Sequence, residues 1–119
     1  MTVIRIVPNL NARDPVGLAA FYRQAFGLEQ PFEMGWIAFL ETRGSQKIEM
    51  HTASQGGSDT DLPAISIEVD DLEQTERAVR NAGGTVVYGP VDEPWGLRRF
   101  YMRDPENNLI NVLSNHSGG

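Results

Sequence analysis

The segment "LNARDPVGLAAFYRQAFG" (10–27) is matched in pattern, 57 residues later, by "IEVDDLEQTERAVRNAGG" (67–84). The two segments share an Asp near the start, an Arg and an Ala further on, and a Gly at the end. Each follows an alternating apolar segment, "VIRIVPNLN" (3–11) or "AISIEVD" (64–70), which is typical of a strand. Self-similarity at a fixed offset indicates a duplicated structural unit.

Each copy predicts one helix that begins just after its Asp. Asp14 is followed by Pro15, and proline suits the first helical position because its missing N–H would have no partner there. Asp71 is followed three residues later by Gln74, which is close to a capping box. Apolar residues then recur at helical spacing, and glycines at 27 and 83–84 end both helices.

Three strand-like segments follow each predicted helix. They lie at roughly 30–33, 35–41 and 47–52 in the first copy, and at 85–89, 97–103 and 109–114 in the second. The sequence therefore predicts an α+β fold of two tandem βαβββ modules, at about 1–53 and 62–116. A polar, Gly/Ser-rich linker at 54–61 joins them into a single domain, 1–116. Each module is too short to bury a good core alone, so it must pack on the other module or on another chain.

Composition and charge exclude several classes of function. The 119 residues carry a net charge of -6, which argues against a nucleic-acid partner. The chain has no cysteine, so disulfides, thiolate metal sites and a cysteine nucleophile are excluded. No apolar run approaches the roughly 18 residues of a membrane span. The N-terminus also lacks the features of a signal peptide. We expect a cytoplasmic protein with no membrane partner.

Alternation along the strands assigns side chains to two faces. One face is apolar and is expected to pack on the helices; it comprises Ile4, Ile6, Ile48, Met50, Ile65, Ile67, Val69, Phe100, Met102, Ile110 and Val112. The other face is mixed, and it comprises Arg5, Val7, Asn9, Lys47, Glu49, His51, Ala64, Ser66, Glu68, Arg99, Tyr101, Leu109, Asn111 and Leu113. A mixed face that turns away from the helices is where a ligand is expected to lie.

These segments and the turn "YMRDPENN" (101–108) resemble the vicinal oxygen chelate superfamily, which includes glyoxalase I, bleomycin- and fosfomycin-resistance proteins and extradiol dioxygenases. The turn is similar to the family's "DPDGN", with Asn107 where glycine is usual; asparagine is the next-best residue at positive φ. The resemblance implies that each module curls into a half-open mixed sheet and that the two modules enclose a cavity. In the enzymes of the family, that cavity holds a divalent metal bound by side chains from four strands.

The positions that the resemblance implies for metal ligands are Val7, Glu49, Ala64 and Asn111. Valine and alanine have no donor atom, and an amide oxygen is a weak, neutral ligand. One carboxylate is too little for a catalytic Zn²⁺ or Fe²⁺, which needs about three protein ligands. The sequence therefore predicts a family member that lacks the usual metal chemistry.

The leading hypothesis is a metal-free, small-molecule-binding homodimer that resembles the bleomycin-resistance proteins rather than an enzyme. Its candidate ligand-binding residues are Glu49, His51, Glu68, Trp95, Arg99, Tyr101 and Asn111. Trp95 could instead anchor a loop, and Arg99 with Tyr101 could form a structural cross-strand pair. Aromatic side chains favour a planar organic ligand. Glu49 and Glu68 favour a cationic group on it, and an anionic group is the alternative because Arg5, Lys47 and Arg99 lie on the same face.

Two alternatives remain at this point. The chain could be a glyoxalase-like lyase, isomerase or dioxygenase whose divalent metal is held at a displaced site by Glu49 and His51, which lie two residues apart on one strand face. It could also be an interaction module with an empty cavity. Fold alone decides none of these, because one fold serves many functions.

Overall fold

The computed structural model of the chain describes residues 1–115. Its elements are β1 (Val3–Asn11), α1 (Pro15–Phe26), β2 (Glu29–Glu33), β3 (Ile37–Glu41), β4 (Glu49–Ala53), β5 (Ile65–Val69), α2 (Leu72–Asn81), β6 (Thr85–Asp92), β7 (Arg98–Arg103) and β8 (Leu109–Ser114). This order is βαβββ twice, so the predicted α+β fold of two modules with mixed sheets is confirmed. The predicted domain boundaries stay a prediction, and their last residue, 116, lies outside the described residues.

Both helices begin at the predicted caps. The Asp14 side chain accepts a hydrogen bond from the Gly17 N–H at 3.0 Å, and Pro15 occupies the first turn. The Asp71 side chain accepts one from the Gln74 N–H at 3.0 Å, which satisfies a backbone donor that the helix itself cannot pair. Among the residues described, no helix is long and apolar enough to cross a membrane.

The chain divides into two compact units, and the first comprises Val7–Leu62. Its strand order is β2-β3-β4-β1, in which β1 runs parallel to β4 and the other pairs are antiparallel. Helix α1 packs against β2, β3 and β4. The buried core consists of Ala19, Ala38 and Leu40, with Tyr22, Leu28 and Met50 packed around it.

The second unit comprises Met1–Ile6 and the residues from Pro63 onward. Its strand order is β5-β8-β7-β6, with β5 parallel to β8 and the other two pairs antiparallel. Helix α2 packs against β6 and β8 over a core of Val69, Leu72, Phe100, Ile110 and Val112, with Met102 beside it. The start of the chain belongs to this unit, because Thr2 and Asp70 exchange hydrogen bonds.

The expectation that Ile4 and Ile6 pack under a helix is wrong. Their relative exposures are 53% and 58%, and Ile48 of the same predicted face, just before β4, is 61% exposed. Helix α2 lies over β6 and β8 in their unit, so the outer side of β1 is left uncovered. Alternation correctly placed the two isoleucines on one face but could not show which strands the helices cover.

The turn between β7 and β8 has the conformation that its sequence predicts. Asn107 has a φ of 66°, in the left-handed region where asparagine is tolerated. The Asp104 carboxylate accepts hydrogen bonds from the side chain of Asn108, at 2.9 Å, and from the backbone N–H groups of Glu106 and Asn108. These bonds fix the entry into β8 and hence the register of Asn111 on that strand.

We expect the Asp104 carboxylate of this turn to make the free energy of unfolding depend on pH. Hydrogen bonds from the side chain and then the backbone of Asn108 hold the pKa of Asp104 below its ordinary value of 3.8. A carboxyl group with a lowered folded-state pKa adds stability above its unfolded-state pKa, and this contribution is lost as the pH falls through the folded-state value. The free energy of unfolding of the wild type should exceed that of Asp104→Asn at neutral pH, and the difference should shrink below pH 3.8. Urea unfolding of both proteins across this pH range tests the expectation, and a pH-independent difference would contradict it.

Candidate functional site

The candidate site lies on the face of the second unit's sheet that is turned away from α2, here called the inner face. A row of side chains crosses its four strands, because Ser66 pairs with Asn111, Asn111 with Tyr101, and Tyr101 with Tyr88. In the next row, Arg99 of β7 pairs with Leu113 of β8. The predicted residues Arg99, Tyr101 and Asn111 are therefore neighbours on two adjacent strands.

Arg99 is buried at the centre of an aromatic cluster on the inner face. Its Nε donates a hydrogen bond to Glu93 Oε2 at 2.5 Å, and the Tyr88 hydroxyl donates to the same oxygen at 3.0 Å. Its guanidinium carbon lies 4.7 Å from the ring centre of Tyr101, 5.0 Å from that of Trp95 and 5.6 Å from that of Tyr88. The positive charge is thus neutralised by a carboxylate and surrounded by rings, an arrangement that favours cation–π attraction in a desolvated setting.

Asn111 lies in the middle of the inner face and is 7% exposed. Its Nδ2 donates a hydrogen bond to Ser66 Oγ at 3.0 Å. Its Oδ1 is buried and has no hydrogen-bond partner among the described residues. A buried, unpaired acceptor carries a free-energy cost, so native proteins usually satisfy it with a ligand, a water molecule or another residue.

Glu68 lies on the inner face but is engaged in an ion pair. Arg5 Nε donates to Glu68 Oε1 at 2.5 Å, and Asn115 Nδ2 donates to Oε2 at 2.9 Å. Both carboxylate oxygens therefore have partners within the unit. The negative charge of Glu68 is therefore neutralised by Arg5 on the inner face, and the carboxylate is not isolated.

Glu49 and His51 lie in the first unit, on β4. The buried His51 ring stacks on Phe39 with 4.5 Å between ring centres, and its Nδ1 lies 3.0 Å from Asn9 Oδ1. With that amide oxygen as the acceptor, Nδ1 is the donor of this hydrogen bond. Glu49 is half-buried and lies opposite Glu41 on β3. The predicted site residues are thus divided, with five in the second unit and these two in the first.

The residues present do not fit the metal centre that the family resemblance implies. Val7 and Ala64 offer no donor atom, and Asn111 offers a neutral amide oxygen. Within residues 1–115, no group of three or more His, Cys, Asp or Glu side chains is arranged to hold a metal ion. Glu49 alone is an anionic donor of the implied set, so no chemical step through a metal follows from these residues.

Two residues of the site were missed by sequence analysis. Tyr88 belongs to the inner face because β6 contains an irregularity between Val86 and Tyr88, which shifts the alternation by one residue. Glu93 belongs to the turn that connects β6 to β7 and is buried against Arg99. The signal for Glu93 was its position two residues before Trp95, in "VDEPWG" (91–96).

Comparison with known proteins gives a family match and a set of similar folds. The family model described as "Glyoxalase/Bleomycin resistance protein/Dioxygenase superfamily" matches residues 4–112. A search of curated proteins finds no match.

Several solved structures share the fold at low sequence identity. A variant of the methylmalonyl-CoA epimerase of Streptomyces coelicolor is 17% identical with a TM-score of 0.72, covering 98% of this chain and 97% of its own. A glyoxalase/bleomycin resistance protein/dioxygenase superfamily member from Vibrio splendidus 12B01 is 16% identical with a TM-score of 0.65, covering 95% and 98%. A structure named as an NAD-dependent benzaldehyde dehydrogenase from Legionella pneumophila is 10% identical with a TM-score of 0.72, covering 92% and 98%. Names this different on one fold show that the fold does not specify the activity.

Proposed function

Because this chain belongs to the glyoxalase/bleomycin resistance protein/dioxygenase superfamily, we propose that it is a small-molecule-binding protein that resembles the bleomycin-resistance members and uses no catalytic metal. The observation that carries the proposal is the cluster of Tyr88, Trp95 and Tyr101 around the buried Arg99. The proposed ligand-binding surface is the inner face, with Asn111 and Glu68 beside this cluster.

The aromatic cluster supports a planar ligand. The rings of Tyr88 and Tyr101 lie 5.1 Å apart at an interplanar angle of 49°. Trp95 is half-buried in the turn before β7, so part of its ring remains accessible to a ligand. Stacking on such rings adds about 0.5–1.5 kcal/mol beyond the burial of apolar area. Because Arg99 and Tyr101 are fixed on a paired strand, these contacts require little ordering when a ligand binds.

The first test locates bound aromatic ligands by tryptophan fluorescence. The chain has two tryptophans, so Trp36→Phe leaves Trp95 as the only indole reporter, and Trp95→Phe leaves Trp36 as its matched control. Titration with planar heteroaromatic compounds should quench the Trp36→Phe protein and leave the Trp95→Phe protein nearly unchanged. Trp95→Ala should weaken binding about tenfold or more, as loss of a central aromatic contact does. Binding that is unaffected by both Trp95 substitutions would contradict this placement of the ligand.

The alternative is a metal-dependent lyase, isomerase or dioxygenase, and the His51 geometry favours it as the second candidate. The ring is held by Phe39 and by Asn9, and Glu49, the one anionic residue of the implied ligand set, lies two residues before it on β4. Elemental analysis after gentle purification separates the two functions. Close to one transition metal per chain, lost in both Glu49→Ala and His51→Ala, would establish the alternative and overturn the proposal.

A homodimer and a cytoplasmic location remain predictions. The exposed Ile4 and Ile6 support a partner surface, since exposed apolar side chains on a paired strand are often covered by another chain. Light scattering that gives a monomer mass at micromolar concentration would contradict the dimer.

A further inference from the structure

We propose that the ligand is an uncharged, planar molecule that donates an N–H of the lactam or amide type to Asn111 Oδ1. This inference rests on the proposed binding function of the inner face and adds the chemical class of the ligand. It starts from the unpaired amide oxygen of Asn111, a buried polar atom whose partner the described residues do not supply.

The orientation of the Asn111 amide defines the kind of partner it selects. Nδ2 is bound to Ser66 Oγ at 3.0 Å, so Oδ1, on the other side of the same amide carbon, is turned away from Ser66. The Ser66 hydroxyl accepts this bond, so the amide nitrogen is engaged and the amide oxygen is not. The amide oxygen presents a hydrogen-bond acceptor, and a ligand that satisfies this acceptor must supply a donor.

The charges of the inner face favour a ligand without formal charge. Arg99 is paired with Glu93, and the two side chains are only 4% and 3% exposed. Arg5 is paired with Glu68, which also accepts a hydrogen bond from Asn115. Each pair is electrically neutral. Arg103 lies two residues after Tyr101 on the same side of β7, where it is half-buried and donates a hydrogen bond to the Asn107 carbonyl oxygen at 3.2 Å. In the buried row of Tyr101 and Asn111, an ionised ligand would lose its hydration without meeting an unengaged opposite charge, which is unfavourable.

The aromatic neighbours of Asn111 favour a planar ligand. Tyr101 is its cross-strand partner on β7, and Tyr88 is in turn the cross-strand partner of Tyr101 on β6. The acceptor therefore lies in the same row as two rings. A planar heterocycle with a ring N–H can satisfy Oδ1 with its edge while it contacts the rings with its face. A water molecule is the competing occupant, because water can also satisfy one buried carbonyl oxygen.

Four probes of one shape test the proposal. They are 2-quinolone, which is neutral and has a lactam N–H; 1-methyl-2-quinolone, which lacks the N–H; N-methylquinolinium, a cation; and quinoline-2-carboxylate, an anion. Calorimetric titration should show that 2-quinolone binds about tenfold or more tightly than each of the other three, since an unpaired buried acceptor is left when the donor is missing. In Asn111→Leu, the difference between 2-quinolone and 1-methyl-2-quinolone should disappear. In Asn81→Leu, a matched change at an exposed position at the end of α2, the difference should persist.

The outcomes separate this inference from the proposed function. Equal binding of 2-quinolone and 1-methyl-2-quinolone to the wild type would mean that Asn111 Oδ1 binds only a buried water molecule. This result would overturn the inference, and it does not depend on whether Asn111→Leu folds. Tighter binding of the cation or the anion, or no binding of 2-quinolone at millimolar concentration, would also overturn it. In each of these cases the proposed binding function is tested independently, by titrating the Trp36→Phe protein with planar heteroaromatic compounds and measuring the quenching of Trp95 fluorescence.

Discussion

Replacing Glu93 by alanine is expected to lower the free energy of unfolding by about 3 kcal/mol. The substitution leaves the Arg99 guanidinium buried without its carboxylate, and removal of one partner of a buried ion pair costs about 3–5 kcal/mol. The value should lie at the low end, because the rings of Tyr101, Trp95 and Tyr88 remain over the charge. Urea unfolding followed by far-ultraviolet circular dichroism measures the loss without relying on Trp95 fluorescence.

Two control variants separate the charge effect from a general disturbance of the turn. The double variant Glu93→Leu with Arg99→Met removes both charges at similar volume, and it should recover most of the stability that Glu93→Ala loses. Tyr88→Phe removes one hydrogen bond to Glu93 and keeps the ion pair, so its cost should be about 1 kcal/mol. A Glu93→Ala protein within about 1 kcal/mol of the wild type would show that the pair is not needed to hold Arg99 in the fold.

The parts of the fold that could be predicted from sequence are those fixed by local chemistry. Asp14 and Asp71 determine the helix starts through side-chain hydrogen bonds that span three residues. Asn107 determines the turn through its own backbone conformation. Alternation then correctly separated Phe100 and Met102, which pack at the α2 side, from Arg99 and Tyr101 on the inner face. Each of these features depends on residues that are close together in the chain.

The features that could not be predicted depend on contacts between distant segments. Strict alternation would put Val86 and Tyr88 on the same face. In the structure Val86 pairs with Met102 at the helix side, and Tyr88 pairs with Tyr101 on the inner face, because β6 contains one additional residue between them. An irregularity of this kind has no fixed sequence signal, since it depends on the partner strand as much as on its own residues. Tyr88 was missed for this reason.

The sequence also gave no sign of which buried charges are paired. Glu68 stays a predicted ligand-binding residue, but the sequence did not indicate that its two oxygens are bound by Arg5 and Asn115. Arg5 and Glu68 are 63 residues apart in the chain, so no local pattern joins them. The face of a side chain follows from alternation, whereas its hydrogen-bond partner depends on strand order and register. The unpaired oxygen of Asn111 could therefore be recognised only once its partners on β5 and β7 were known.

Replacing Gly89 by alanine is expected to cost about 3 kcal/mol or more of stability, and to disturb the aromatic cluster as well. Gly89 has a φ of 75°, where a β-carbon costs roughly 1–2 kcal/mol by itself. A β-carbon there would also lie 2.6 Å from the Arg99 carbonyl oxygen and 3.2 Å from the Phe100 α-carbon. Both atoms belong to the backbone of β7, so the clash can be relieved only if the two strands separate.

Gly27→Ala is the matched control, because Gly27 has a similar φ of 69° and nothing lies within 4 Å of its β-carbon position. Its cost should be limited to the conformational contribution, about 1–2 kcal/mol, so the difference between the two variants measures the steric contact alone. Urea unfolding gives both values, and equal losses would contradict a close approach of β6 to β7.

The Gly89 substitution also tests how the site is positioned. Tyr88 pairs with Tyr101 and Val91 pairs with Arg99, so three residue steps on β6 match two on β7. This irregularity, at Gly89, keeps both Tyr88 and Val91 opposite inner-face residues, which strict alternation would prevent. If β6 must move away from the Arg99 backbone, the Tyr88 ring moves with it, and the cluster loses one of the three rings around the guanidinium. Gly89→Ala should therefore weaken binding of aromatic probes even under conditions where the protein is fully folded, whereas Gly27→Ala should leave that binding unchanged.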